Sequence, residues 1–324
     1  FGGSVSISGD YTVIGAAYNY DNGSVSGSAY VFERDGSGNW SEVQKLTASD
    51  GAAGDRFGNS VSISGDYLVI GAYADDDNGS SSGSAYVFER DGFGNWSEVQ
   101  KLTASDGAAD DSFGESVSNS GDYAVIGAYG DGGDSGSAYV FERNGAGNWI
   151  EVQKLIASDG EAFDSFGGSV SISGDYAVIG APGDEGDAKL IDSGSAYVFE
   201  RDGVGNWIDV QKLRASDGAA FDRFGESVSI SGNKVVIGVD DDDDNGGNSG
   251  SAYVFERDGF GNWSEVQKLT ASDGAVNDRF GGSVSISGDY AMIGAYGDDD
   301  SAGSAYIFDR NGAGVWSEVG KLTA

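Results

Sequence analysis

The fold is decided by a stretch that reads FGNSVSISGDYLVIGA over residues 57–72. Its opening Phe-Gly pair recurs, at intervals of 53 to 58 residues, at Phe1, Phe57, Phe113, Phe166, Phe224 and Phe280. Self-similarity at a long, nearly fixed period is typical of propellers and solenoids, in which each repeat is one supersecondary unit. The chain therefore consists of six copies of one unit.

Each copy contains four short segments that predict β-strands. In the first copy, Val5 and Ile7 alternate with serines, which is the pattern of a half-buried strand, and Gly9-Asp10 predicts a tight turn. The strands predicted for this copy cover residues 4–8, 11–16, 28–33 and 40–46. Four antiparallel strands form a complete small sheet, which favours a propeller blade over one coil of a solenoid. We therefore predict an all-β fold, a six-bladed β-propeller with four antiparallel strands per blade.

The repeat boundaries predict a single propeller domain over residues 1–324. Its six repeats span residues 1–56, 57–112, 113–165, 166–223, 224–279 and 280–324. Because the chain starts and stops at repeat boundaries, we expect the propeller to be part of a longer protein.

The charge balance restricts the partners and the setting. The chain has 53 acidic and 18 basic residues, which gives a net charge of −35 at pH 7. Such a chain repels phosphate backbones and anionic lipid headgroups, so we expect no nucleic-acid partner and no direct membrane insertion. Salt screens the self-repulsion of so many charges, which favours an extracellular or cell-surface location in a marine or saline environment.

Missing residue types restrict the chemistry. The chain has no cysteine and no histidine, which excludes disulfides, ordinary zinc sites and histidine-dependent nucleophiles. Paired carboxylates alone hydrolyse glycosides, but one of them needs an apolar pocket that raises its pKa. Here the carboxylates lie in polar loops rich in Asp, Gly and Ser. We therefore expect that the protein is not an enzyme and has no catalytic residues.

A second motif ends the second strand of each copy. It is a Gly-Ala pair that begins at Gly15, Gly71, Gly127, Gly180 and Gly294. In the fourth copy Pro182 follows the pair, and the fifth copy has Gly238-Val239 instead. Together with the Phe-Gly pairs it resembles the FG-GAP repeat, the unit of the N-terminal propeller of integrin α subunits and of many secreted microbial proteins. In calcium-binding members, the resemblance implies an aspartate-rich loop between the first and second strands. Here that connection is a two-residue turn such as Gly9-Asp10, which cannot surround an ion that takes roughly six to eight oxygens.

Acidic residues have collected instead after the second strand, in loops that differ from copy to copy. The segments are 19–22, 75–78, 131–134, 184–192, 240–245 and 298–300. Two interpretations remain open: a solvated, turn-forming loop, or a site for calcium or another hard cation away from the usual FG-GAP loop. The metal-ligating candidates are Asp75, Asp77, Asp241, Asp243, Asn245, Asp298 and Asp300. Apart from calcium, we expect no cofactor.

Recurrent residues are interpreted as architecture and variable ones as binding candidates. One tryptophan opens each fourth strand, which predicts packing between neighbouring blades. The pair Asp50 and Asp55 recurs between successive blades and predicts a turn fixed by hydrogen bonds from backbone N–H groups. Tyrosines at the entrance to the variable loops either pack at the strand ends or stack on a sugar or peptide. These ligand-binding candidates are Tyr18, Tyr73, Tyr129 and Tyr296.

Two functions follow from a constant scaffold with variable loops. The first is a non-catalytic extracellular binding or adhesion module that recognises a protein or glycan through an acidic loop face, with or without a bridging cation. The alternative is a structural subunit of an extracellular filament, sheath or surface assembly, whose partners are neighbouring subunits.

Overall fold

The computed structural model describes residues 1–185 and 191–323, so part of the acidic segment 184–192 lies outside the described residues. In these ranges the chain forms strands β1 (Val5–Ser8), β2 (Tyr11–Ala16), β3 (Ser28–Arg34), β4 (Trp40–Leu46), β5 (Val61–Ser64), β6 (Tyr67–Ala72), β7 (Ser84–Arg90), β8 (Trp96–Leu102), β9 (Val117–Ser120), β10 (Tyr123–Ala128), β11 (Ser137–Arg143), β12 (Trp149–Leu155), β13 (Val170–Ser173), β14 (Tyr176–Ala181), β15 (Ser195–Arg201), β16 (Trp207–Leu213), β17 (Ser227–Ser231), β18 (Lys234–Val239), β19 (Ser251–Arg257), β20 (Trp263–Leu269), β21 (Phe280–Ser287), β22 (Tyr290–Ala295), β23 (Ser304–Arg310) and β24 (Trp316–Thr323).

Consecutive groups of four strands form one antiparallel sheet each, from β1–β4 (blade 1) to β21–β24 (blade 6). In blade 1, Val5 of β1 lies opposite Ile14 of β2, and the register of β3 against β4 shifts at Val31/Phe32. The same shift recurs in the third and fourth strands of every described blade. Over the described ranges these sheets confirm the predicted fold class, a six-bladed β-propeller with four antiparallel strands per blade.

The strand bounds differ from the prediction in small ways. In blade 1 the first strand begins at Val5 and the third continues to Arg34. Within the described chain, two variable loops also contain one helical turn each, α1 (Asp131–Asp134) and α2 (Asp298–Ser301). Neither is a regular helix, because Gly132, Gly133, Asp299 and Asp300 have positive φ angles.

The chain forms two compact units, residues 1–156 and residues 157–324. The first unit contains blades 1–3, and the cores of its two blade junctions are built from opposite faces of adjacent sheets. In the first junction, Val13, Val31 and Leu46 of blade 1 pack against blade 2. We call this side the outgoing face of a blade. The opposing side of blade 2, which includes Ile63 and Trp96, is its incoming face.

The second unit contains blades 4–6 and repeats the same arrangement. Val178, Val198 and Leu213 form the outgoing face of blade 4 and pack in one cluster with Ile230 and Trp263 of blade 5. An equivalent cluster joins blades 5 and 6 and includes Trp316. The prediction that the tryptophans pack between neighbouring blades is confirmed at these junctions.

Side-chain to backbone hydrogen bonds complete each junction. The Ser6 Oγ on the first strand of blade 1 accepts a hydrogen bond from the backbone N–H of Ile63 in blade 2, at 3.1 Å. Gln44 bonds both backbone groups of Trp96, accepting from its N–H at 2.9 Å and donating to its carbonyl at 2.7 Å. These bonds satisfy backbone groups that have no partner within their own sheet. They therefore fix how the strands of one blade are aligned with those of the next.

Glycines allow the sheets to approach closely. A Cβ added to Gly15 would lie 2.0 Å from the carbonyl oxygen of Gly58 in the next blade, and one added to Gly71 would lie 1.9 Å from that of Gly114. Neither backbone has a positive φ, so the glycine is required by proximity and not by its own conformation. The Gly of the Gly-Ala motif is thus a junction residue.

Blade 1 presents its incoming face to solvent. Ile7 is 64% exposed, whereas the equivalent Ile63 in blade 2 is 5% exposed. Phe1 is exposed, and its ring packs edgewise on its own sheet, with the centroid 5.4 Å from that of Tyr30. The same residue types therefore occur in a covered face and in an uncovered one.

Candidate binding surface at the variable loops

The loop after the second strand and the connection to the next blade lie side by side in each described junction. The backbone N–H of Phe57, which opens blade 2, donates to the carbonyl of Ser26 at 3.0 Å, and that of Arg56 donates to Val25 at 3.2 Å. Gly83 and Phe113 form the same parallel bridge one blade further on. Both loop classes therefore meet at one end of the blades.

A lysine lies at the centre of the carboxylates brought together there. In blade 2, the Lys101 Nζ lies 2.8 Å from an Asp50 carboxylate oxygen, 2.9 Å from Asp75 and 2.5 Å from Asp77. The buried Tyr86 hydroxyl donates to Asp50 at 2.8 Å or to Asp75 at 2.9 Å. We call these five residues the lysine cluster. It joins an aspartate of the blade connection to two of the variable loop.

Related clusters recur in the following blades, each with a lysine, a buried tyrosine and at least two aspartates. Their members are Lys154 with Asp106, Asp131 and Tyr139; Lys212 with Asp159, Asp184 and Tyr197; Lys268 with Asp217, Asp242, Asp244 and Tyr253; and Lys321 with Asp273, Asp298 and Tyr306. In blade 1 Lys45 pairs with Asp21 of its own loop. Each variable loop is thus anchored by an ammonium group on the fourth strand.

Burial and charge shift the pKa values in this cluster in a consistent sense. Burial raises the pKa of the Tyr86 phenol, and the neighbouring Asp75 and Asp50 raise it further. Burial alone would lower the pKa of Lys101, but hydrogen bonds to the three carboxylates raise it above its usual range. The ammonium of Lys154 lowers the pKa of Asp106. Lys101 therefore stays protonated and Asp106 stays ionised across ordinary pH.

The second aspartate of each blade connection fixes the turn, as predicted. Asp55 is buried, and its Oδ2 accepts a hydrogen bond from the N–H of Ala52 at 2.6 Å. Asp111 accepts from Ala108 in the same way at 2.7 Å. Burial raises the pKa of Asp55 above its usual value. The first aspartate, Asp50, has a different role, because it belongs to the lysine cluster.

The metal-ligating candidates occupy unlike positions. Asp75 and Asp77 surround Lys101, and the buried Asp298 lies 2.6 Å from the Lys321 Nζ. Asp241 pairs with Arg279. The Asp243 Oδ1 accepts from the N–H of Asn248, and the N–H of Asn245 donates to Ser249; Asp300 is exposed. Across residues 1–185 and 191–323, no group of three or more carboxylates has an arrangement that could hold a metal ion.

In the fifth loop, the aspartates that contact the lysine are the chain neighbours of the candidates Asp241 and Asp243. The positions equivalent to Asp75 and Asp77 are Asp242 and Asp244, which contact Lys268. The candidates Asp241 and Asp243 instead have the Arg279 guanidinium and the N–H of Asn248 as partners. The sequence feature that could have identified the aspartates of the cluster is the lysine of the recurrent Val-Gln-Lys-Leu segment on the fourth strand.

Two of the tyrosine candidates meet at one arginine in the first unit. The Arg56 guanidinium lies 5.4 Å from the ring centroid of Tyr18 and 5.2 Å from that of Tyr73, and it donates to the Tyr73 hydroxyl. Tyr18 is 66% exposed, so one aromatic face is open to solvent. We call these three residues the tyrosine–arginine patch. Tyr129 is half-buried.

Tyr296 lies in a different cluster in the second unit. Its hydroxyl donates to the Asp240 carboxylate at 3.2 Å, and Asp240 lies beside Asp241 and Arg279. Burial raises the pKa of Asp240, with the neighbouring Asp241 adding to the effect. Asp240 is only 5% exposed, so this carboxyl does not face a binding surface directly.

The opposite end of the blades has its own polar groove in the first unit. It has a volume of about 620 Å³ and is lined by residues of blades 1 and 2 that include Tyr11, Glu33, Arg90 and Phe93. The Tyr11 hydroxyl donates to Glu33 at 2.7 Å. Arg34 pairs with Asp10.

The comparisons with known proteins agree with this architecture. A family model described as FG-GAP repeat matches residues 1–32, 40–88, 96–141, 149–199, 207–255 and 263–308. A crystal structure of a Lactobacillus plantarum protein solved by a structural genomics consortium is similar with a TM-score of 0.62 and 14% identity. The match covers 99% of this chain and 84% of that one, and at this identity it concerns the fold alone.

No curated protein sequence matches the chain at a significant level. Among the described residues, no helix has the length and apolar character that a membrane-crossing helix needs.

Proposed function

Because this chain belongs to the FG-GAP repeat family, we propose that it is a non-catalytic extracellular module that binds a protein or glycan through the variable-loop end of its blades. The observation that carries the proposal is the tyrosine–arginine patch, an exposed aromatic surface at the entrance to a variable loop. Loops that vary on a constant scaffold are common sites of recognition.

The patch offers the groups that sugars and peptides use. The exposed face of Tyr18 supplies an apolar stacking surface, and Arg56 is held beside it by Tyr73. Aromatic side chains with polar edges contribute large contact area at low entropic cost. Because Arg56 is held between two rings, little side-chain entropy is lost when a ligand docks.

Exposed carboxylates in the loop that follows Tyr73 support selectivity for partners with donor or cationic groups. Asp76 and Asp77 of the neighbouring loop are exposed, and the chain carries 35 more acidic than basic residues. An acidic surface steers positively charged partners and repels anionic ones. The extracellular, saline setting is supported by the same charge, since dissolved salt reduces its self-repulsion.

A bridging cation is not required by this proposal. The lysine clusters already neutralise the buried carboxylates Asp75, Asp242 and Asp298 from within the chain. We therefore propose recognition by side chains alone. Titration with calcium while following thermal unfolding tests this part: an unchanged melting temperature is expected, and a rise with calcium would mean that a cation binds the folded protein.

Array binding tests the main proposal. The protein is applied to glycan and peptide arrays at saline ionic strength, and the best ligand is then titrated against Tyr18→Ala and Arg56→Ala. We expect each variant to lose roughly tenfold or more in affinity, as anchor residues do. Phe93→Ala is the matched control, because Phe93 is 93% exposed at the opposite end of blade 2. Unchanged binding by Tyr18→Ala and Arg56→Ala would overturn the proposal.

A further inference from the structure

A hydrogen-bonded turn before the fourth strand of blade 2 presents a phenyl ring to solvent. Phe93 stands at the tip of this turn, residues 91–95, and is 93% exposed. The Asp91 Oδ1 accepts hydrogen bonds from the N–H groups of Phe93 at 2.8 Å and of Asn95 at 2.9 Å. Because these bonds hold the backbone of the tip, a ligand that docks on the ring pays little entropy for ordering it.

The tip is the variable position of an otherwise constant turn. Blades 1, 2, 4 and 5 have the sequence Asp-Gly-x-Gly-Asn here. The tip residues of the six blades are Ser37, Phe93, Ala146, Val204, Phe260 and Ala313. Phenylalanine thus occurs once in each compact unit, and Phe260 is also 93% exposed. Variation at one position of a constant turn is typical of recognition rather than of packing.

Phe93 lines the polar groove between blades 1 and 2, whose volume is about 620 Å³. This volume falls within the roughly 300–1,000 Å³ of common ligand sites. Blade 1 contributes Tyr11 and Glu33 to the groove, and blade 2 contributes Arg90 and the turn that carries Phe93. An exposed ring therefore borders a concave surface of polar groups.

The guanidinium in the groove is already engaged by the protein. Among the described residues that line the groove, Arg90 is the only cation. It lies 4.2 Å from the ring centroid of Tyr11, and its Nε donates to the Asp66 carboxylate at 3.0 Å. Because Arg90 is stacked and paired with a carboxylate, it does not provide a site for an anionic ligand.

The groups that stay open in the groove are acceptors. The Tyr11 hydroxyl donates to one oxygen of Glu33 at 2.7 Å, and within the described chain the other oxygen accepts no hydrogen bond. The Asn95 amide donates to Asp91 at 3.0 Å, so its carbonyl oxygen is left to accept. Glu33, Asp66 and Asp91 outnumber the single guanidinium, which makes the groove negative. The face of an aromatic ring also attracts cations.

We propose that this groove is a second binding site, which takes a lysine or arginine side chain from an extended basic segment of a partner protein. The cationic head supplies donors to Glu33 and Asn95 and meets the face of Phe93. A neutral sugar would supply donors but no positive charge, so the charge of the groove favours the basic side chain. The site goes beyond the function proposed above, because it lies at the opposite end of the blades from the tyrosine–arginine patch.

The second unit repeats the main groups of the groove between blades 4 and 5. The Tyr176 hydroxyl donates to Glu200, and the Arg257 guanidinium lies 4.2 Å from the ring centroid of Tyr176. Phe260 is the exposed tip of the blade 5 turn. We therefore expect one site in each unit.

Isothermal titration calorimetry with a blocked Gly-Arg-Gly-Arg-Gly peptide tests the proposal, at about 0.15 M salt to screen long-range attraction. The double variant Phe93→Ala/Phe260→Ala should bind at least roughly tenfold more weakly than the wild type, as the loss of an anchor does. It should also fold normally, because both rings are exposed. The variant keeps the full negative charge, so non-specific attraction to the acidic surface would survive in it. Unchanged affinity would therefore overturn the proposal.

A matched pair of carboxylates separates the groove from the general charge. Glu89 accepts from the Tyr67 hydroxyl at 2.8 Å, as Glu33 does from Tyr11, but the turn of the following blade has Ala146 at its tip. Glu33→Gln should weaken peptide binding several-fold, whereas Glu89→Gln, with the same change of charge, should leave it nearly unchanged. Equal losses would count against the groove.

A gain of binding makes the test independent of disruption. Ala146→Phe supplies the missing ring between blades 2 and 3 and should add one bound peptide per chain. Tyr18→Ala should bind the basic peptide like the wild type, so this proposal and the function proposed above can fail separately. Binding that depends on Phe93 but is seen only with a neutral glycan, and not with the arginine peptide, would overturn the assignment of the ligand.

Discussion

Blades 1 and 2 have nearly the same strand sequences, yet Trp40 of blade 1 is 41% exposed and Trp96 of blade 2 is 3% exposed. Both open a Trp-Ser-Glu-Val-Gln-Lys-Leu strand. The lysines differ in the same way: Lys101 of blade 2 lies among three aspartates, whereas Lys45 of blade 1 pairs with one among the described residues, Asp21. The comparison teaches that each repeat encodes two faces and that the neighbouring blade decides whether a face becomes core.

The largest expected difference concerns the tryptophans. Trp96→Ala should lower the free energy of unfolding by about 4 kcal/mol, because it removes a buried indole and leaves a cavity. Trp40→Ala should cost at least about 2 kcal/mol less, since much of that ring is already solvated. Urea unfolding followed by far-UV circular dichroism measures both without depending on tryptophan fluorescence. Equal losses would show that the two faces are buried alike in solution.

The lysines extend the comparison of blades 1 and 2 to the variable-loop end of the blades. Lys101→Met should lower the free energy of unfolding by about 3 kcal/mol, because it leaves the buried Asp75 carboxylate without its counter-charge. Lys45→Met, which breaks a single partly exposed pair, should cost about 1 kcal/mol or less. Thermal unfolding of the two variants at matched pH measures the difference. A mild effect of Lys101→Met would mean that a solution cation replaces the ammonium.

A third test extends the comparison to blade 3, where Glu115 replaces the Asn59 of blade 2. Burial raises the pKa of Glu115, and its Oε2 is buried without a hydrogen-bond partner among the described residues. Glu115→Gln should therefore raise the free energy of unfolding at pH 7 by about 1 kcal/mol.

The pH dependence of the Glu115→Gln effect follows from the raised pKa of Glu115. A carboxyl with a raised pKa in the folded state favours folding when it is protonated, and this contribution disappears as pH rises from the unfolded-state pKa through the folded-state pKa. The advantage of Glu115→Gln should thus shrink as pH falls toward 4. An advantage that is constant from pH 7 to pH 4 would contradict the assignment.

The smallest effect should be the same in both blades. Asp35 and Asp91 each accept backbone hydrogen bonds that close the exposed turn before the fourth strand, from Asn39 and Asn95 at 2.9 Å. Hydrogen bonds from Asn39 lower the pKa of Asp35 below its usual range. Asp35→Ala and Asp91→Ala should therefore lower the melting temperature slightly and equally, and the loss should vanish in acid as the wild-type aspartates become protonated.

Unequal losses in this last pair would show that the blades differ in more than their covered faces. The turn lies away from the junction core, so it reports on each blade by itself.

The repeat pattern predicted the architecture well because the strands depend on local alternation and turns. Tyr11–Ala16 and Trp40–Leu46 were predicted with the bounds they have in the structure. The carboxylate partners could not be predicted, since Asp50, Asp75 and Lys101 are far apart in sequence and meet only when the loop folds over the fourth strand. The exposure of Tyr18 and its pairing with Arg56 likewise depend on the next blade.

The lysine clusters have a consequence for how the loops respond to their surroundings. An ammonium group carried on the fourth strand is present at one equivalent per loop whatever the dilution, because it is tethered and cannot diffuse away. A counter-ion recruited from solution would instead make loop order a function of its concentration. The counter-charge of the buried aspartates is therefore supplied by the polypeptide itself, so newly made protein carries it without an added ion.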